Sequence, residues 1–201
     1  MKKFELTTES ITFLGRTLFR IKALISFGSV KEGELGGYIE KEENLSHEGN
    51  AWVYGNAKVC GNARVYGDAW VCGDAEVCGD AWVCDNANVC GNAEVYGNAN
   101  VCGNAKVCGD AEVCGNAEVY GDARVCGDAD IATISGFGRK YRTTTFFRTN
   151  DNDIFVKCGC FFGTLDEFRK KVKETHGDNK YAKEYLMIAD LMEMRFRGEE
   201  K

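Results

Sequence analysis

The chain of 201 residues has no proline, two histidines and no apolar run long enough to cross a bilayer as a helix. The missing proline excludes collagen-like and polyproline architectures. A membrane span needs about 18 consecutive apolar residues, so no membrane partner is expected. Met1-Lys2-Lys3-Phe4-Glu5-Leu6 is basic with no apolar segment behind it, so no secretory leader is expected and the expected location is the cytoplasm. Against these absences stand 24 glycines, 11 cysteines and 44% apolar residues, enough to bury a core. In a reducing compartment most of those cysteines are expected as free thiols. A formal charge of −6 argues against nucleic acid as a partner.

The glycines and cysteines are not scattered. From Gly49 the chain reads GNAWVY GNAKVC GNARVY GDAWVC and onward through fourteen hexads to Ala132, with no insertion. Position 1 is Gly except at Asp85, position 2 is Asn or Asp, position 3 is Ala, and position 5 is Val until Ile131. Self-similarity at a fixed short period indicates a solenoid, in which each turn buries its apolar side chains and backbone groups against the next. Positions 3 to 6 alternate as a short strand does, with Ala and Val inward and positions 4 and 6 outward. Gly-Asn and Gly-Asp form the corners: glycine tolerates a positive φ, and the Asx side chain bonds nearby backbone.

The pattern Val-x-Gly-Asn/Asp-Ala-x over Gly49–Ala132 resembles the hexapeptide-repeat family. The resemblance implies a mainly β fold: a single-stranded left-handed parallel β-helix with three hexads per coil. The entry, Gly36-Gly37-Tyr38-Ile39 and Asn44-Leu45-Ser46 running into Gly49-Asn50-Ala51, resembles that of bacterial and prophage members of loosely transferase-like function. Ile39 and Leu45 fall in step with the Ala column, so an imperfect first coil is expected from about Gly37.

The flanks are expected to cap the rod, since bare solenoid ends expose unpaired edges. The expected division is residues 1–36 as an N-terminal β cap, 37–136 as the β-helix, and 137–201 as a small α+β region. The first cap should hold a short hairpin, Ile11–Leu14 with Leu18–Leu24. The last region should hold a hairpin of Arg142–Arg148 with Ile154–Phe162, then two helices, the first capped by Thr164 with Glu167. On a strand, Cys158 and Cys160 would face the core beside Phe162.

Residues eighteen apart should stack into outward columns. One carries the thiols Cys72, Cys90, Cys108 and Cys126, and another the carboxylates Glu76, Glu94, Glu112 and Asp130. The thiols have three open readings: small strand residues spread by duplication, coil-to-coil disulfides, or a thiolate rod binding a soft metal. No metal site and no cofactor are expected, because a column sets its ligands in a line and tyrosine replaces cysteine in the same columns. The repeat holds 4 basic and 12 acidic residues, so the acidity belongs to the rod. Trp52, Tyr54, Tyr66, Trp70 and Trp82 gather near its N-terminal end, as an interface or as a surface covered by the N-terminal segment.

The enzymes of the resembling family are mostly acyltransferases with a histidine base. His47 is then the one catalytic candidate, His176 being placed at a helix C-terminus. Without a loop extruded from the hexads there is no wall for a cofactor pocket. The expected function is a non-catalytic scaffold or binding module that engages a protein partner or itself, a trimer included. The alternatives are a hexapeptide-type acyltransferase and a thiolate metal-binding rod.

Overall fold

The computed structural model describes residues 1–197. Strands β1 (Phe4–Phe13), β2 (Arg16–Ala23) and β3 (Leu35–Ile39) come first. Thirteen two-residue strands follow, one per hexad, from β4 (Trp52–Val53) to β16 (Arg124–Val125). Then come β17 (Ile131–Phe137), β18 (Arg142–Arg148), β19 (Ile154–Cys158), β20 (Phe161–Thr164), α1 (Leu165–His176) and α2 (Lys180–Arg197). The fold is mainly β: a parallel β-solenoid of about five turns with strands at its N-terminal end and a small helical region at its C-terminal end. Among the described residues, no helix is long and apolar enough to cross a membrane.

Each hexad pairs in parallel with the one eighteen residues on: Trp52 opposite Trp70, Lys58 opposite Glu76, Arg64 opposite Trp82. Three hexads therefore make a turn, and the solenoid has three faces. The first runs β4-β7-β10-β13-β16, the second β5-β8-β11-β14 and the third β6-β9-β12-β15. Ala and Val of every hexad from Ala51 to Val125 are buried at 0–1% exposure, so two small residues per hexad fill the interior. In the second hexad's turn, Asn56, Lys58 and Cys60 donate their N–H groups to Gly73, Ala75 and Val77. The same arrangement recurs down the rod. At the corner Gly61, φ is +70° and an added Cβ would stand 2.9 Å from the carbonyl oxygen of Gly79, so both torsion and space demand glycine.

The second position behaves differently from the expectation. Its side chains bond chiefly to one another up the corners, with a few backbone bonds beside these, such as the Asn50 N–H to Asp68 Oδ1 at 3.0 Å. Asn50, Asn56 and Asn62 donate through Nδ2 to Asp68, Asp74 and Asp80 at 2.7, 3.2 and 2.9 Å. The next turn returns to Asn86, Asn92 and Asn98. The all-Asp turn thus lies between two all-Asn turns, the fourth turn mixes Asn104, Asp110 and Asn116, and carboxylates stay off carboxylates along most of each edge.

At the N-terminal end, the first turn has carbonyls with no preceding turn to bond them. On the second face β3 supplies backbone: Tyr38 donates to Ala57 at 2.9 Å and Glu40 to Val59 at 3.0 Å. On the other two faces buried polar side chains take over, joined on the third by the Ser46 N–H, which donates to Val65 at 2.9 Å. Lys3 Nζ donates to Gly49 and Ala51 at 3.3 and 2.9 Å, and Asn44 Nδ2 donates to Gly61 and Ala63 at 3.1 and 2.8 Å. The entry is also out of the expected step. Ile39 pairs with Val59 and Leu45 with Val65, so both lie on the Val column rather than the Ala column. Two extra residues are taken up between Leu45 and Trp52, in the segment that carries His47.

The hairpin of β1 and β2 is longer than expected and extends the sheet of the second face. At the other end, the antiparallel sheet β17-β18-β19-β20 lies across the last turn. Phe147 enters the rod's core, and Thr145 Oγ1 accepts from the Glu118 N–H at 3.0 Å. The sheet's far side packs Phe146, Ile154 and Val156 on α1 and α2. Thr164 and Glu167 cap α1 reciprocally, as the sequence leads one to expect. The run Ile154–Phe162 is not one strand: Gly159 at φ +58° turns the chain, leaving Cys160 exposed instead of in the core.

Candidate functional site

The aromatics of the first turns flank one edge of the solenoid, because the corner Gly67-Asp68 joins β6 on the third face to β7 on the first. Trp70 and Trp82 are 39% and 45% exposed. Each is propped by the tyrosine sixteen residues earlier: Tyr54 lies 5.5 Å from Trp70, and Tyr66 lies 6.1 Å from Trp82, edge to face. Burial holds the Tyr66 phenol above its ordinary pKa, and nearby Asp85 adds to the effect. Trp52 corrects the sequence expectation. It is fully buried, with Phe4 and Phe27 packed edge-on against it at 6.2 and 5.4 Å, so it belongs to the core beneath the N-terminal segment.

Trp82 and Tyr66 also line a groove of about 670 Å³ with Arg64, Glu42, Ser46 and His47. His47 stacks on Phe4 at 4.4 Å. Its Nδ1 accepts the Lys3 backbone N–H at 3.1 Å, which puts the neutral ring's proton on Nε2, 2.7 Å from Glu42 Oε1. Those bonds leave His47 no free lone pair with which to take a proton from a substrate. The hydrogen bond from His47, with a second from Lys2, holds the Glu42 carboxyl below its usual range. In this position His47 ties the N-terminal strand to the entry segment and forms one wall of the groove.

The acidic column is real for three of its four members. Glu76, Glu94 and Glu112 are direct cross-strand partners. Lys58 tops them with an ion pair to Glu76 at 3.0 Å, and the Tyr96 hydroxyl donates to Glu112. Asp130 does not continue the column, a correction to the expected ladder. It turns back in a short 3-10 segment to accept the Cys126 N–H at 2.9 Å and to pair with Arg148 at 3.2 Å.

The thiol columns are in the expected register, but they are not uniformly free. Cys84 is bonded to Cys102 and Cys108 to Cys126, with Cα separations of 4.7 and 4.4 Å. Cys72 and Cys90 are free, as are Cys60 and Cys78, whose sulfurs stand 2.7 Å apart. Burial raises the Cys72 thiol's pKa. Cys84, Asp85 and Cys102 are close enough to share an ion, yet the two sulfurs are spent on each other. Sequence reasoning missed a further cluster at the C-terminal region, where a cavity of about 340 Å³ gathers basic residues from two separate segments, Arg139–Arg142 and α1.

A model of the family described as the YdcK beta solenoid repeat matches residues 57–73, about one turn of the rod. The chain is a β-solenoid repeat protein. No curated protein matches it.

Proposed function

We propose that this solenoid is a non-catalytic scaffold that binds a protein surface through the edge bearing Trp70, Trp82 and Tyr66, a second copy of the chain being the first partner to test. The observation that carries the reading is the pair of half-exposed tryptophans, each held in place by a tyrosine. Both are large apolar rings that the solenoid does not need for its interior, which Ala and Val already fill. Rigid aromatic anchors beside a groove are the side chains that dominate binding energy at protein interfaces. Arg64 and Glu42 at the groove rim supply charges of both signs for orientation. The six-residue period and its glycine corners support kinship with hexapeptide-repeat proteins and a left-handed coil.

The test is sedimentation over a wide concentration range, on the wild type and on Trp70→Ala with Trp82→Ala. Loss of about 2 kcal/mol per anchor corresponds to roughly thirtyfold weaker association for each. A wild type that stays monomeric, with any partner it has held equally well by the double variant, refutes the proposal.

A further inference from the structure

The cavity at the C-terminal region lies between the turn joining β17 to β18, the turn joining β19 to β20, and the face shared by α1 and α2. Its rim carries Arg139, Lys140 and Arg142 from the first turn and Lys171 and His176 from α1. No carboxylate lines it. The Glu184 carboxylate, close to the first turn, is engaged with the Gly138 N–H at 2.9 Å. Lys171 pairs with Glu174 at 3.3 Å, whereas Arg139, Lys140 and Arg142 form no ion pair among the described residues. Three cations within four residues repel one another, and the Glu118 carboxylate, which shares a neighbouring groove with Arg142, forms its ion pair with Lys157 instead.

The floor is of opposite character. Phe168, Val172 and Tyr185 are almost fully buried beneath the cations, and Phe161 borders them. Two glycines make the room. Gly159 sits at φ +58° where a side chain would strike the Arg142 guanidinium, and Gly138 at φ +70° where one would strike the Tyr185 ring. An apolar, ring-lined floor under convergent donors is the usual make-up of a small-molecule site, and about 340 Å³ exceeds what a bare inorganic anion fills.

The geometry points to a binding site for a small phosphate monoester with a flat aromatic body: the ring against Phe161 and Phe168, the phosphate dianion held by Arg142, Lys140 and Arg139. Arginine offers paired N–H groups matched to phosphate oxygens, and lysine adds a point charge. This site is independent of the aromatic edge, which lies at the other end of the rod.

The experiment is calorimetric titration of the full chain with phenyl phosphate, inorganic phosphate and phenol at fixed salt. Phenyl phosphate should bind at least tenfold tighter than either fragment. Arg142→Gln and, separately, Lys140→Gln should each weaken it severalfold or more, with unfolding transitions unchanged because both side chains are exposed. Phenyl phosphate no tighter than inorganic phosphate, or binding indifferent to both substitutions, overturns the proposal. So does the absence of binding.

Discussion

Asn44 offers the sharpest test of how the rod is closed at its N-terminal end. Its side chain is fully buried and makes three hydrogen bonds: Nδ2 donates to the carbonyls of Gly61 and Ala63, and Oδ1 accepts from the Lys41 N–H at 2.9 Å. Asn44→Ala strips two carbonyls and one N–H of partners. At about 1 kcal/mol per bond, and up to about 3 where a group stays dry, the loss is about 3–5 kcal/mol once water reaches part of the gap. Asn44→Asp is the more informative change. It preserves the acceptor for Lys41 but aims a carboxylate oxygen at two carbonyl oxygens, so at neutral pH it should destabilise more than alanine. Protonation restores one donor, so the aspartate variant should recover as pH falls through the carboxylate range while the alanine variant does not. Solenoids lose cooperativity along their length, so a single unfolding midpoint is a poor reporter. Amide hydrogen exchange reads the turns separately. The Arg64 and Tyr66 amides, which bond to Ala81 and Val83, should exchange faster in both variants, while the Cys108 amide near the far end should be unaffected. Unchanged exchange in the first turns of Asn44→Ala, or alanine and aspartate variants that behave alike at every pH, would refute a capping role for Asn44.

Lys3 caps the neighbouring face, and burial pushes its ammonium down from 10.5 to about 8. Between those values the unfolded chain holds a proton that the folded chain has released, so this site's contribution to stability rises with pH. Unfolding free energies of wild type minus Lys3→Met should show that rise, and a flat difference would contradict it. Asn86→Asp sets a carboxylate under Asp68 and loses the amide bond to Asn104. Repulsion at about 4.8 Å in water is about 1 kcal/mol, so about 1–2 kcal/mol of destabilisation is expected at neutral pH, fading in acid. Asp68→Asn, which preserves an acceptor for Asn50, should be near neutral, both variants being read by amide exchange in the turns that carry the substitution. Thiol titration of the denatured, unreduced protein should count seven cysteines, against 11 after reduction. Eleven without reductant would remove the two disulfides.

Most of the rod can be read from the sequence because each hexad meets copies of itself at a fixed offset. Once Ala and Val recur every six residues, the filled interior follows from strand geometry, and the three hexads per coil that the family resemblance implies set the 18-residue register and the column of Glu76, Glu94 and Glu112. The alternation of Asn and Asp turns is equally visible in the string, but its meaning appears only when the amides are seen donating up the corners.

What the repeat cannot specify is what meets its ends. Trp52 obeys the same local rule as Trp70, and their hexads differ only at positions 2 and 6, neither of which decides burial. Phe4 and Phe27 bury it from positions far upstream, through contacts that have no period. For the same reason Asp130 leaves its column once Arg148 is within reach, and Ile39 settles on the Val column two residues out of step. The basic cavity joins a hairpin turn, a strand turn and a helix that share no sequence pattern. The sequence by itself determined the repeating interior, because there every neighbour is another copy of the same six residues. Only the tertiary structure decided which aromatics remain exposed, which thiols pair and where the cations converge, because those depend on single contacts between distant, non-repeating segments.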